Sequence, residues 1–274
     1  VGKALDEGIN FFDTAESYGE GRSEEFLGRA LGARRNDIIL GTKFGYTGGA
    51  SRDTIARSIE ASLKRLGTEV IDLYTVHKPD PDTPILETLE AMDALVRAGK
   101  VRHLGCSNFS AVELDEALRV ARENDLSPLV AAQNRLSLLR REAESDIAIV
   151  CRDRGIGFVP FFPLESGMLT GKYKRDEAPG AEYRLTRVKR LADDALTDEN
   201  YAIVEALTAF ASSRGHTLLE LAISWLAAKP EVVSVIAGAT TPEQVAQNAA
   251  AAGWRLGADE LAETDRLSAR SGLA

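Results

Sequence analysis

The strongest constraint on the fold is an alternation that runs the length of the chain. Short apolar runs ending in polar residues are each followed by a stretch of helical periodicity. The runs cover residues 9–13, 38–43, 71–77, 101–106, 129–133, 157–162 and 232–237. Apolar residues at consecutive positions, rather than every second one, suit strands buried on both faces, as in parallel sheets. Between them, a helix near 23–31 stops at Gly32. Ser51 caps a helix whose Ile55, Ile59, Leu63 and Leu66 share one face, and Gly67 ends it. Thr83 is expected to cap the next helix, with Pro84 at its first position and Gly99 as the stop. Ser110-x-x-Glu113 reads as a capping box opening a helix to about 122, and another helix is expected over 143–154. The rhythm then loosens. Residues 163–198 are rich in Gly, Pro and charge and read as a long loop of the functional or mobile kind. Helices follow over 198–214 and 217–229, the second opened by Thr217-x-x-Glu220. Thr241-Pro242 opens a further helix, and a polar one near 258–267 comes last.

Repeated βα units make an α/β protein, either a doubly wound sheet or a closed (β/α)8 TIM barrel. No Gly-x-Gly-x-x-Gly follows any of the strands, which counts against a dinucleotide-binding doubly wound sheet. Polar side chains cluster instead where strands end, at Asp13, Lys43, His77, Ser107-Asn108 and Gln133, with the aromatic Phe161 at the sixth. A barrel places its reactive residues at those ends, so the expectation is one barrel domain over 1–274. Val1 to Gly8 reads as the tail of a helix. Seven strands behind such a start imply that the barrel's first strand is missing from this chain.

Composition narrows the partners. A chain of 274 residues, 44% hydrophobic, can bury one large core. A formal net charge of −9 with no offsetting basic stripe argues against nucleic acid and anionic membranes. No apolar run approaches the length of a membrane span, and no signal-like segment opens the chain. The two cysteines, Cys106 and Cys151, are too few for a disulfide framework and suit core packing in a reducing, cytoplasmic compartment. No metal site is expected. No exposed apolar helix face stands out, consistent with a monomer or weak homo-oligomer.

The stretch Phe11-Phe12-Asp13-Thr14-Ala15-Glu16-Ser17-Tyr18-Gly19 puts an acid and a phenol on one strand-end loop. A lysine at a barrel mouth needs an anion, and Asp13 on the preceding strand can supply it to Lys43. The pair would favour the phenolate form of Tyr18, because a cation stabilises it. His77 could donate a hydrogen bond to a carbonyl oxygen or pass protons to the tyrosine. Singly, each residue has a plainer reading: Asp13 as a loop cap, Lys43 as a snorkelling lysine, Tyr18 as packing, His77 as a satisfied core histidine. Together on three strand ends, they make a site that protonates an oxygen as negative charge develops on it.

The sequence resembles the aldo-keto reductase family. The resemblance rests on Phe12-Asp13-Thr14-Ala15-Glu16-Ser17-Tyr18-Gly19, Thr42-Lys43-Phe44-Gly45, Ser62-Leu63-Lys64-Arg65-Leu66-Gly67 and Ile71-Asp72-Leu73-Tyr74-Thr75-Val76-His77. It continues in Gly99-Lys100-Val101-Arg102-His103-Leu104-Gly105-Cys106-Ser107-Asn108-Phe109, Pro163-Leu164-Glu165-Ser166-Gly167-Met168-Leu169-Thr170-Gly171-Lys172, Ile236-Ala237-Gly238-Ala239-Thr240 and Gln247-Asn248. The resemblance implies a (β/α)8 barrel that reduces an aldehyde or ketone with NADPH, NADH being the lesser cofactor. It assigns Asp13, Tyr18, Lys43 and His77 to a catalytic tetrad with Tyr18 as proton donor. Ser107, Asn108 and Gln133 would hold the nicotinamide carboxamide, and Phe161, with Phe162, would lie against the cofactor. Pro163, Leu164, Gly167, Leu169 and Lys172 match the loop over the pyrophosphate. Gly238, Thr240, Gln244, Gln247 and Asn248 match the adenosine end, and Arg184 is a candidate for the 2′-phosphate. Thr241-x-x-Gln244 is equally a capping box, so Gln244 could only finish a helix.

The chain departs from the family at Gly238 and Gln244, where many relatives carry a basic residue. It also lacks the N-terminal hairpin and first strand, and 45–51 is short. Two other functions stay open. Some relatives of this fold are NADP(H)-binding regulatory subunits of membrane channels. A barrel aldolase could use Lys43 as a Schiff-base nucleophile, although an ion pair with Asp13 would keep it protonated.

Overall fold

The computed structural model describes residues 1–270. Its contacts fall into two units: Val1–Asn134 with Ser145–Val159, and Arg135–Glu144 with the chain from Pro160 onward.

The first unit holds six strands: β1 (Phe11–Asp13), β2 (Ile39–Phe44), β3 (Ile71–Val76), β4 (Val101–Ser107), β5 (Leu129–Gln133) and β6 (Gly157–Phe158). They pair in parallel and in chain order. Parallel neighbours require a crossover. In the first unit the crossovers run through the helices Arg22–Leu31, Arg52–Leu66, Ile85–Arg97, Ala111–Glu123 and Ile147–Arg154. Burial explains the sequence pattern. Every residue of β3 is buried, including Asp72 and Thr75, and the helix stripe Ile55, Ile59, Leu63 and Leu66 is buried as expected. Ser51 accepts a hydrogen bond from Thr54 N, and Gly67, in the left-handed region at φ 64°, closes that helix. Ser110 and Glu113 form the expected capping box. Below the strands' C-terminal edge, Asp72 accepts from Leu40 N at 2.8 Å and pairs with Arg35 and Arg102.

Two expectations need correction. Pro84, not Thr83, is the N-cap residue of the helix Ile85–Arg97. Its ψ of 132° is extended, and the helix starts at Ile85. Among the described residues, 232–237 is not a strand. Phe161 and Ile236 form a single bridge, and β6 stops at Phe158. The reason lies in Pro160 and Pro163, which have no N–H to donate and so cannot extend a ladder. The α/β class and the sequential parallel sheet agree with expectation; the described strands number six.

The second unit is mainly helical, with Asp198–Ser213, Leu218–Ala227, Pro242–Ala250 and Ala258–Ser268 as its longer helices. The expected loop 163–198 contains local order: a 3-10 stretch, Glu165–Thr170, and short helices Arg184–Arg187 and Lys189–Ala195. Charge holds it in place. Arg135 pairs with Glu165 and Asp194, Arg140 pairs with Asp194, and Ser137 donates to the buried Glu165 at 2.8 Å. Periodicity could not reveal this, because the partners are far apart in sequence and form no repeating pattern.

Candidate active site

Parallel register sets the site. Asp13 is the last residue of β1, Lys43 the penultimate residue of β2, His77 the residue after β3, Ser107 the last of β4 and Gln133 the last of β5. Register partners Asp13 with Gly41, Phe44 with Val76, and Ser107 with Gln133 put these ends on one edge of the sheet. Tyr18 lies on the loop leaving β1. That loop is pinned by Glu16 N to Lys43 O (3.1 Å), Tyr18 N to Ala15 O (3.1 Å) and Ser23 N to Tyr18 O (3.2 Å).

The ammonium of Lys43 is the hub. It forms an ion pair with Asp13, donates to the Thr14 carbonyl at 2.8 Å and lies 3.5 Å from the Tyr18 hydroxyl oxygen. The Lys43 and Asp13 side chains are only 3% and 6% exposed, whereas Tyr18 is 43% exposed. A buried ammonium with a carboxylate and a carbonyl at hand is electrostatically satisfied. Its remaining face points at an accessible phenol. The other oxygen of Asp13 accepts from Gln133 Nε2 at 3.0 Å, which orients the carboxylate from the far strand β5.

His77 completes the group. Its ring meets Tyr18 edge-on, with centroids 5.8 Å apart. Its backbone is fixed on both sides: His77 N donates to Phe44 O at 2.8 Å, and Asn108 Nδ2 donates to His77 O at 2.9 Å. Burial, then the positive charges of Lys43 and Lys78, push its pKa down to about 4, so the imidazole is neutral at pH 7. Nδ1 is buried with no partner among the described residues. A bare lone pair costs less there than an unpaired N–H, which favours a proton on Nε2.

The strand-end residues Ser107 and Gln133 differ in polarity. Gln133 spends its amide N–H on Asp13, and its buried Oε1 has no partner among the described residues. Ser107 Oγ accepts from Asn108 Nδ2 at 3.1 Å, which keeps its own O–H as a donor. Asn108 itself adopts φ 59°, a turn conformation that asparagine tolerates. A donor beside an acceptor on adjacent strand ends complements a primary carboxamide.

The remaining sequence candidates lie in the second unit. Glu165, Ser166 and Gly167 have successive positive φ values of 44°, 57° and 98°, and the N–H groups of Glu165 and Gly167 close the turn on Phe162 O at 3.1 Å and Leu164 O at 2.8 Å. Gly167 suits its φ of 98°, where a side chain would be strained, and a Cβ there would lie 2.5 Å from Cε of the flexible Lys172 side chain. Lys172 sits 4.8 Å from the Tyr183 ring centroid, and burial lowers its pKa. Pro163 and Leu169 are buried, and Leu164 is half-buried. Phe161 and Phe162 meet edge-on, with the Arg184 guanidinium 5.4 Å from the Phe162 centroid. Gln244 Oε1 is committed to Thr240, accepting from its N–H at 2.8 Å and from its hydroxyl at 3.0 Å. Thr241 accepts from Gln244 N, so half of the expected capping box forms and the glutamine reaches one residue further back. Gly238 and Gln247 are exposed and Asn248 is half-buried.

Two neighbours of the tetrad were not foreseen. Tyr46, on the loop after β2, places its ring 4.8 Å from His77. Glu16 accepts from Gly45 N at 2.9 Å and so anchors that loop. The only sequence signal for Tyr46 is a lone aromatic between Gly45 and Gly48-Gly49. Among the described residues no group of three or more His, Cys, Asp or Glu could hold a metal ion, and no helix is long and apolar enough to cross a membrane.

Comparison with known proteins agrees with this geometry. The family model described as "Aldo/keto reductase family" matches residues 1–269. A probable voltage-gated potassium channel subunit beta from Arabidopsis thaliana is 39% identical over 254 residues, which covers 89% of this chain and 77% of the relative. L-glyceraldehyde 3-phosphate reductase from Escherichia coli (strain K12) is 33% identical over 281 residues, covering 96% of this chain and 81% of the relative. Among solved structures, a thermostable aldo-keto reductase in complex with the inhibitor epalrestat aligns with a TM-score of 0.78 at 30% identity, covering 96% of this chain and 84% of that one. A match over nearly every residue, on a parallel sheet with an acid, a lysine and an imidazole at its strand ends and a phenol on the loop after β1, leads to one conclusion: the chain belongs to the aldo/keto reductase family, and is an oxidoreductase.

Proposed function

We propose that the protein reduces an aldehyde or ketone to an alcohol with NADPH, at Asp13, Tyr18, Lys43 and His77. The observation that carries this is the Lys43 ammonium, neutralised by Asp13 and 3.5 Å from an exposed phenol. Ser107, Asn108 and Gln133 would hold NADPH through its carboxamide, and the bound cofactor would supply the hydride for the carbonyl carbon. Tyr18 gives its hydroxyl proton to the carbonyl oxygen as charge grows there. Lys43 stabilises the negative charge that the phenol oxygen is left with, and Asp13 and Gln133 hold Lys43 in place. His77, neutral, donates Nε2–H to the same carbonyl oxygen and orients it. Phe161 and Phe162 would lie against the cofactor; Pro163, Leu164, Gly167, Leu169 and Lys172 would close over its pyrophosphate. Gly238, Thr240, Gln247 and Asn248 would line the adenosine end. Arg184 is the candidate for the 2′-phosphate, and Gln244 supports that end through Thr240. The sequential parallel strands favour the (β/α)8 barrel as the scaffold, acting on a small carbonyl compound in the cytoplasm. NADPH oxidation with a panel of aldehydes tests the reading, and no turnover of any of them would count against it.

A second reading is favoured by one observation, the 39% identity to a channel subunit beta. In it the chain binds NADP(H) tightly and regulates a channel with little turnover. Tight NADPH binding without reduction, together with a stable membrane partner in pull-downs, would select it. The ion pair of Lys43 with Asp13 argues against a Schiff base there, and so against an aldolase.

A further inference from the structure

Tyr46 and Lys78 have no part in the proton transfer, yet both border it. Lys78 directly follows His77, and its ammonium lies 5.5 Å from the Tyr46 ring centroid. The Tyr46 ring lies 4.8 Å from His77, tilted at 55°, and is 49% exposed. An accessible aromatic wall therefore leads from the imidazole to a cation.

The charge of Lys78 is available. It is exposed and forms no ion pair among the described residues. Asp80, two residues on, is the nearest carboxylate in sequence; it forms no ion pair with Lys78, though the two charges attract, and it accepts from Ala50 N at 2.7 Å, Thr83 Oγ1 at 2.7 Å and Asp82 N at 3.1 Å. Lys43 is paired with Asp13, so Lys78 is the exposed ammonium beside His77 that has no ion pair among the described residues. Its field reaches the ring, where it helps to hold the imidazole neutral. The same Asp80 bonds fix the end of the loop that carries Tyr46, and its carboxylate packs against Gly49 with no room for a Cβ. The wall is thus positioned before anything binds. A chain of net charge −9 repels anions in general, so an anionic substrate needs such a local cation to approach.

We propose that Tyr46 and Lys78 form a substrate subsite selecting aromatic aldehydes or ketones that carry an anionic group across the ring from the carbonyl. This rests on the reductase reading. The ring stacks on Tyr46, the carbonyl oxygen meets Tyr18 and His77, and the anion meets Lys78.

The test compares kcat/KM for para-formylbenzoate and para-formylbenzamide, which share shape and differ in charge. The ratio is measured with NADPH for the wild type, Lys78→Gln and Lys78→Arg. The acid-to-amide ratio should fall about two- to fivefold in Lys78→Gln, the worth of an exposed ion pair, and stay near wild type in Lys78→Arg. The wild-type ratio should also shrink at about 0.5 M salt, where exposed charges are screened. A ratio unmoved by Lys78→Gln overturns the subsite. Should neither aldehyde turn over, the reductase reading still stands or falls on the wider aldehyde panel. Saturation-transfer NMR of para-formylbenzoate then decides the subsite: weaker binding to Lys78→Gln supports it, and equal binding overturns it.

Discussion

Replacing Lys43 by Met probes the hub of the site. Methionine keeps most of the stem's volume and removes the charge. Asp13, whose side chain is 6% exposed, would then keep the 3.0 Å bond from Gln133 Nε2 and lose its counter-ion. Removing one partner of a buried pair costs about 3–5 kcal/mol, because a charge is left buried and uncompensated. At about 2–4 °C per kcal/mol for chains somewhat shorter than this one, that is a drop in Tm of roughly 6–20 °C. Asp13→Asn with Lys43→Met removes both charges and should cost about 2 kcal/mol or less, since replacing both partners is far cheaper than orphaning one. Urea unfolding of the wild type, both single variants and the double variant gives the cycle. Following it by far-UV circular dichroism and by tryptophan fluorescence checks that one transition is measured. A Lys43→Met cost under about 1 kcal/mol, or a double-variant cost near the sum of the singles, would refute the idea of a coupled buried pair.

Other outcomes follow from the same geometry. The unfolded chain binds the His77 proton at its ordinary pKa of 6.5, and the fold does not until about 4. His77 therefore costs stability as pH falls from 6.5 towards 4, and nothing above 6.5; His77→Gln should flatten that part of a urea-midpoint titration against pH. Gln133→Met removes the donor to Asp13 and the free acceptor beside Ser107, so NADPH affinity by fluorescence titration should fall about tenfold or more. Gly167→Ala forces a side chain into φ 98° and against Lys172, and should weaken NADPH binding while leaving the thermal transition within a few degrees.

The sheet was readable because burial on both faces leaves a mark in consecutive positions: β3 is apolar enough, from Ile71 to Val76, to be found without any partner. Helix ends were readable where a side chain does the capping, as at Ser51 and Ser110, and misread where Pro84 takes the cap itself. The residues 232–237 look like a strand because their composition is that of one. What limits pairing to a single bridge is Pro160 and Pro163, about seventy residues away. In the site, neighbouring strand ends allowed Asp13 and Lys43 to be brought together from order alone. The Gln133 bond to Asp13 was not readable, because β1 and β5 are not adjacent in the sheet and no rule of spacing joins them. Tyr46 was missed for another reason: a single aromatic in a glycine-rich loop has no periodicity, and only the fold brings it to His77. Arg135, Glu165 and Asp194 were hidden likewise in a stretch that sequence marks only as polar.

The central claim is that the phenol beside Lys43 is the proton source. Tyr18→Phe removes one oxygen, and on a side chain 43% exposed it should leave stability nearly unchanged. Pre-steady-state NADPH oxidation with an aldehyde in excess should slow by about a hundredfold or more, with NADPH affinity preserved. A variant that still reduces the aldehyde within about threefold of the wild-type rate would contradict the claim.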